Sequence, residues 1–97
     1  MIVAKASIRL RQTAEGGRGT PIVRGYRSTL RFADTCKDCA IYFEEKQALM
    51  PGEECVVTLR FPSNFGREVV LLGATFDITE GPHIVGNGII QNIHKDD

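Results

Sequence analysis

Apolar and polar residues alternate along most of this chain, and alternation with a period of two predicts β-strands. The clearest run covers residues 2–10, in which every second side chain is apolar. Shorter runs cover residues 28–32, 39–43 and 55–61. Gly and Pro interrupt the longer stretches that could otherwise keep a helical period, so the pattern predicts an all-β protein.

A bent β-hairpin is predicted within residues 75–93, where two apolar arms flank a turn at Gly81 and Pro82. Gly tolerates a positive φ, and Pro fixes its own φ while offering no donor to the strand ladder. On the return arm, Gly86 and Gly88 stand where a strand would prefer packed side chains. Isolated strand glycines mark a bulge or a close backbone approach, so we expect the hairpin to bend as in a small barrel.

Polar and glycine-rich segments separate the predicted strands. Residues 12–20 form a loop, and turns are predicted at residues 34–38 and 49–52. With 97 residues, the chain has room for a single domain over residues 1–97. About six strands with short connections favour a closed antiparallel barrel, which leaves no edge exposed; a two-sheet sandwich is the alternative.

The bulk composition is typical of a globular domain, with 42% apolar and 25% charged residues. No run approaches the ~18 apolar residues of a membrane span. Lys5 and Arg9 stand where a signal peptide needs its apolar centre. We therefore expect a cytosolic protein with no membrane partner.

The formal net charge is zero, but the cations are concentrated near the N-terminus. Residues 1–31 hold seven Lys and Arg against Glu15 alone, so this segment carries +6 and the remainder carries −6. Two interpretations follow. Either one face of the barrel is basic and suits an anionic partner, or the arginines occupy the solvent side of edge strands.

Three cysteines in a chain without export features indicate reduced thiols. Cys36 and Cys39 have the spacing of metal or redox motifs, but no second pair is present and nothing helical follows. A metal site or a reversible disulfide is the alternative for this pair. No cofactor and no resident metal are predicted.

The sequence also predicts no catalytic group. His83 lies in a predicted turn and His94 near the C-terminal end, so we expect both to be solvated. The adjacent glutamates at 44–45 and at 53–54 would point to opposite faces of a strand. They could not form a general acid–base couple, and the expected function is binding without catalysis.

Five groups of residues carry a resemblance that covers nearly the whole chain. They are Gly16-Gly17-Arg18 followed by Thr20-Pro21-Ile22, Gly25-Tyr26-Arg27, Met50-Pro51-Gly52-Glu53, Phe76-x-Ile78-x-x-Glu80-Gly81, and Val85-Gly86-x-Gly88-Ile89-Ile90. In this order and spacing, the chain resembles the C-terminal, third domain of the elongation factor Tu and 1-alpha family. The resemblance implies a closed six-stranded antiparallel Greek-key barrel, which agrees with the strand count.

The resemblance also implies partners. In the family, this domain contacts the T-stem backbone of aminoacyl-tRNA, the exchange factor Ts and the GTPase domain of its own chain. The expected function is therefore a non-enzymatic binding module that contacts tRNA or a translation protein. The sequence lacks Gly-x4-Gly-Lys-Ser/Thr, so GTP binding is not implied.

The candidate binding residues combine the family's RNA-facing positions with the N-terminal cations. Arg18 lies in the glycine loop and is the preferred phosphate contact, whereas Arg27 could instead stack on Tyr26 or pair with an acid. The full set is Arg18, Thr20, Arg24, Arg27, Thr29, Glu80 and Gly81.

Three departures from the family pattern suggest a retained fold with an altered partner. Gly19 replaces a polar residue, Ser28-Thr29 replaces Pro-Gln, and Pro82-His83-Ile84 replaces Gly-Arg-Thr. They support a second hypothesis, a protein-interaction module that mimics elongation factor Tu as a decoy or protective partner and binds no RNA. A homodimer is a further hypothesis, because a barrel separated from the other domains of such a factor exposes apolar surface.

Overall fold

The computed structural model describes residues 2–62 and 69–95, and the remaining positions of the predicted 1–97 domain lie outside the described part. Within it, the chain is all-β, as predicted, with one turn of 3-10 helix at Thr13–Glu15. None of the described residues forms a helix long and apolar enough to cross a membrane. The strands are β1 (Ile2–Leu10), β2 (Ile22–Val23), β3 (Tyr26–Phe32), β4 (Thr35–Phe43), β5 (Ala48–Leu49), β6 (Glu54–Phe61), β7 (Thr75–Glu80) and β8 (His83–Lys95).

Six of the strands close into an antiparallel barrel in the order β1-β6-β4-β3-β7-β8, with β8 returning to β1. The strands β3, β4 and β6 follow one another as neighbours, and β7 then returns to lie beside β3, which is a Greek key. The short strands β2 and β5 form a separate two-stranded ribbon. The closed barrel is therefore confirmed, and the two-sheet sandwich is wrong.

The apolar side chains that alternate along the strands fill the barrel interior. Along β1, the side chains of the apolar set are buried, while the intervening residues remain partly exposed. Phe32 packs against Phe61 and Phe76, with ring centroids 6.4 and 5.4 Å apart. Ala4 and Ala6 are fully buried, so β1 contributes small side chains to this close-packed interior.

The predicted hairpin is present and bent. Glu80 pairs with His83, so Gly81 and Pro82 alone make the turn, and Gly81 has a φ of 56°. A positive φ at the first central position with Pro at the second is the combination expected of a type II′ turn. The strand β8 carries two register shifts, one opposite Ile78/Thr79 and one opposite Lys5/Ala6. Such bulges bend a strand, which lets β8 pair on both sides.

Gly88 lies where two backbones and a ring meet. A Cβ atom built there would lie 2.5 Å from Cζ of Phe76 and 2.7 Å from the carbonyl oxygen of Ser7. At Gly86 the nearest atom would be the carbonyl oxygen of Arg9, at 2.6 Å. The predicted close approach at both glycines is therefore confirmed.

Two turn boundaries differ from prediction. Of the predicted turn at 34–38 only Asp34 lies in a turn, because β4 begins at Thr35 and pairs directly with Phe32, which leaves a tight turn at Ala33 and Asp34. Pairing with β3 overrides the polar composition of this segment. Leu49 was expected in a turn, but it is buried in β5 opposite Ile22.

Candidate functional site

A groove with a volume of about 610 Å³ crosses the outer face of β3 and β4. The end of β6 with Arg60 and Pro62 forms one wall, and Glu80 and Gly81 at the hairpin tip form the other. Four of the seven predicted binding residues line it. They are Arg27, Thr29, Glu80 and Gly81.

Strand register brings these residues together from distant parts of the sequence. Thr29 pairs with Asp38 on β4 and with Thr79 on β7, and residues opposite one another share a sheet face. The hydroxyl of Thr29 donates a hydrogen bond to Oδ1 of Asp38 at 2.7 Å. The hydroxyl of Thr79 donates to the carbonyl oxygen of Thr29 at 2.7 Å. The groove floor is thus a hydrogen-bonded sheet surface with small side chains.

Arg18 belongs to a network that ties the glycine loop to the hairpin tip. Its guanidinium lies over the Tyr26 ring, 5.0 Å from the centroid, and pairs with the carboxylate of Glu80. It also donates to the carbonyl and the hydroxyl oxygen of Thr20, both at 3.1 Å. Arg18 is therefore held within the protein, in the structural role that was one option for Arg27. Direct contact of Arg18 or Thr20 with a partner stays a prediction.

Tyr26 completes this network as a neutral phenol. Burial, and then the hydrogen bond that its hydroxyl donates to Glu80, raise the pKa of Tyr26 to about 12. Glu80 therefore accepts from both Tyr26 and Arg18 on one oxygen, Oε2. The network leaves one wall of the groove rigid.

Arg27 and Arg24 differ from Arg18 in their surroundings. The side chain of Arg27 is exposed beside the groove and has no hydrogen bond or ion pair with any residue in the described ranges. Arg24 is exposed in the turn between β2 and β3, outside the groove, and its backbone N–H donates to the carbonyl oxygen of Gln47 at 3.2 Å. Of these two cations, Arg27 alone lies at the groove.

Ion pairs neutralise much of the cationic N-terminal segment. Four of its seven cations contact a carboxylate, so the basic face is smaller than the charge count indicates. The pairs are Lys5–Glu44 at 3.2 Å, Arg9–Glu15 at 3.0 Å, Arg31–Asp77 at 2.8 Å, and Arg18–Glu80. The backbone N–H of Gln12, followed by Arg9, lowers the pKa of Glu15.

The cysteines do not form a joint site. Cys36 is exposed and Cys39 is buried, because they lie three residues apart on β4 and point to opposite faces. Their Cα atoms are about 10 Å apart along the strand, beyond the reach of a disulfide. The alternative of a metal site or disulfide through this pair is therefore wrong. Burial raises the pKa of Cys39 to about 12, so this thiol is inert. Among residues 2–62 and 69–95, no three His, Cys, Asp or Glu side chains gather as a metal would require.

Nine of the residues that line the groove are outside the set predicted from the sequence. Alternation assigns most of their segments to strands, whereas Asp38 falls in the predicted turn at 34–38, and the register between strands is needed to bring these residues to one face. Arg60 lies over the Tyr42 ring, 5.8 Å from the centroid, so these two form a second arginine–tyrosine pair. The missed residues are Tyr26, Ser28, Asp38, Cys39, Ala40, Tyr42, Arg60, Pro62 and Thr79.

The resemblance to elongation factor Tu rests on the spaced motifs of the sequence alone. No protein-family model matches the chain.

Proposed function

We propose that the barrel is a non-enzymatic binding module of the cytosolic translation apparatus that contacts RNA of the tRNA type along the groove on β3 and β4. The observation that carries this proposal is the convergence of Arg27, Thr29, Glu80 and Gly81 on one groove. The family resemblance and the charge distribution had selected these residues from positions far apart in the chain.

The chemistry of the groove suits a phosphate backbone. Arginine and hydroxyl side chains make most sequence-independent contacts to phosphates and sugars. Arg27 supplies a guanidinium that no acid within the described ranges engages, and Thr29 provides a hydroxyl on the floor. The network of Arg18, Tyr26 and Glu80 holds the opposite wall in place before any ligand arrives, which lowers the entropy cost of binding.

The test is the affinity of the purified protein for tRNA across a range of salt concentrations. Binding should weaken as salt rises, and R27Q should reduce the log–log salt slope by about one, since one phosphate contact is lost. R31Q is the matched control, because Arg31 lies on the same face of β3 but is already paired with Asp77. Absence of tRNA binding at low salt would contradict the proposal.

A second candidate is a protein-interaction module that mimics elongation factor Tu. The zero net charge and the four ion pairs of the N-terminal segment favour it, because they weaken the attraction for a polyanion. Recovery of one protein and no RNA in a pull-down from the source cell at both low and moderate salt would select this candidate over the first.

A further inference from the structure

The groove contains two arginines, one on either side of a small residue. Ala40 on β4 pairs with Arg27 on β3 and with Arg60 on β6, so the three form a row across the sheet. Neighbouring strands lie about 4.8 Å apart, which puts the two arginine Cα atoms about 10 Å from each other. Cross-strand partners share a face, and both guanidiniums can therefore reach the space above Ala40.

We propose that Arg27 and Arg60 form a clamp for a single phosphate group above Ala40. This inference rests on the proposed function, because RNA binding makes the RNA backbone the source of that phosphate. A free phosphate has the same chemistry, and the experiment below separates the two sources. Two guanidiniums with forked donors can share the oxygens of one phosphate, which is the ligand geometry that arginine suits best.

The surroundings of the two arginines support this geometry. The ring of Tyr42 lies beneath the guanidinium of Arg60, so stacking positions that side chain. On the other side, Arg27 pairs with no acid in the part of the chain that the structure describes. The clamp therefore has one positioned and one adaptable cation.

The acids of the groove are already committed to other donors. Asp38 accepts the hydroxyl of Thr29, and Glu80 accepts Arg18 and Tyr26. They do not form the ion pairs that would neutralise Arg27 directly. Their charge nevertheless opposes a ligand that is anionic along its whole length, such as an acidic peptide.

RNA fits this mixed surface better than an acidic peptide does. Its backbone alternates phosphates with ribose 2′-hydroxyls, which can donate. Asp38 lies two residues from Ala40 on the same face of β4, about 7 Å away, and Thr29 occupies only one of its carboxylate oxygens. A phosphate above Ala40 would therefore bring a neighbouring hydroxyl near the second oxygen of Asp38.

The floor of the clamp must be small. Ala40 projects a single methyl group between the two arginines, so a phosphate can approach the sheet closely enough to meet both guanidiniums. A longer side chain at this position would occupy the phosphate's space while leaving both charges unchanged. A substitution of Ala40 by a longer apolar residue therefore distinguishes the clamp from a general effect of positive charge.

The experiment compares four proteins, the wild type, R60Q, A40L and the control R31Q, with two probes. The first probe is tRNA at low salt, measured by titration. The second is inorganic phosphate, followed through the backbone amide signal of Ala40 by NMR. Thermal unfolding of each variant verifies that the barrel is intact. R60Q and A40L should each weaken tRNA binding about tenfold, whereas R31Q should stay within about twofold of the wild type.

The outcomes distinguish the clamp from the proposed function. If tRNA binds to the wild type and equally to R60Q and A40L, the clamp is overturned while RNA binding stands. If tRNA does not bind but phosphate shifts the Ala40 signal in the wild type and not in R60Q, the clamp holds for free phosphate and the RNA function fails. If neither probe responds in the wild type, both are overturned.

Discussion

One backbone angle at the start of β4 is unusual for its residue type. Ala33 has a φ of 55°, in the left-handed region, and it is the single non-glycine residue with a positive φ in the described part of the chain. An L-residue pays roughly 1–2 kcal/mol for this conformation. The tight turn that lets Phe32 meet Thr35 therefore stores strain in a residue with a Cβ atom.

We predict that A33G stabilises the barrel. Removing the Cβ relieves the strain, and the greater freedom of Gly in the unfolded chain offsets part of the gain, so the free energy of unfolding should rise by about 0.5–1 kcal/mol. Urea titration measures the change. A14G is the matched control, because Ala14 is exposed in the 3-10 turn without a positive φ and should lose stability instead. Equal losses in both variants would contradict the prediction.

Tyr26 links stability to alkaline pH. Its pKa is raised to about 12 in the folded barrel, so folding favours the neutral phenol. That contribution is complete below the ordinary tyrosine pKa of about 10 and is lost as pH rises from there towards 12. The buried thiol of Cys39, also with a pKa of about 12, adds a loss of the same sign from about pH 9.

We expect Y26F to flatten this pH dependence above about pH 10 without removing the part that belongs to Cys39. Unfolding in urea between neutral and alkaline pH is the measurement. Y42F is the control, because Tyr42 lies outside the network that Arg18 and Glu80 form. If Y26F and the wild type lose stability in parallel, the link through Tyr26 is wrong.

Side-chain partners were the least predictable part of the site. The sequence offers stacking on Tyr26 as one option for Arg27 and favours Arg18 as a phosphate contact, whereas in the structure Arg18 lies over the Tyr26 ring. Arg18 reaches Tyr26 from eight positions away and Glu80 from sixty-two, so the contact depends on the register between β3 and β7. The sequence shows which side chains are present, and strand pairing in the closed barrel determines which of them come into contact.

At the scale of the elements, the β7–β8 hairpin depends on the absence of a side chain at one glycine. At Gly88, an added methyl group would overlap the ring of Phe76 and the backbone of Ser7. The ring could move only by disturbing its packing on Phe32, and the backbone belongs to the β1–β8 ladder. This explains why the return arm has glycine in the middle of a strand.

We predict that G88A lowers the free energy of unfolding by about 1–3 kcal/mol, the usual cost of overpacking a dense core. G19A should be nearly neutral, because no atom lies within 4 Å of a Cβ built at Gly19. Chemical denaturation of both variants provides the comparison. A G88A barrel as stable as G19A would show that β8 can move away from β7.

Strands were predicted well where apolar and polar residues alternate over many positions. They were predicted poorly where pairing with a neighbouring strand determines the structure. The nine residues of β1 alternate throughout, so the sequence specified this strand. The first half of β4 looked like a turn because Asp34, Lys37 and Asp38 are polar, yet its pairing with β3 makes it a strand. The two-residue strands β2 and β5 are too short to show any period.

At the scale of the whole molecule, an uncharged row crosses three strands of the barrel's outer face. Ser7 on β1 pairs with Val56 on β6 and with Ile89 on β8, and the two apolar side chains are 44% and 41% exposed. Exposed apolar side chains in a row can be covered by a partner. This row is where we expect the proposed homodimer to form.

Sedimentation at increasing protein concentration tests the dimer. The wild type should shift towards a dimer, and I89K should remain a monomer, because a buried lysine opposes association. V23K is the control, since Val23 is exposed on the β2–β5 ribbon, away from this row. A wild type that stays monomeric at high concentration would contradict self-association.

The double pairing of β1 has a consequence for how the protein is made. The strand β1, Ile2–Leu10, completes its ladders only with residues 54–61 and 86–95, which follow it in the chain. A ribosome therefore releases the N-terminal strand long before its second neighbour exists, and the barrel cannot close until residue 95 has left the exit tunnel. Such distant pairing slows folding, and an unpaired strand can associate with other chains in the meantime. Closure only after residue 95 has been synthesised is the folding route that this topology imposes.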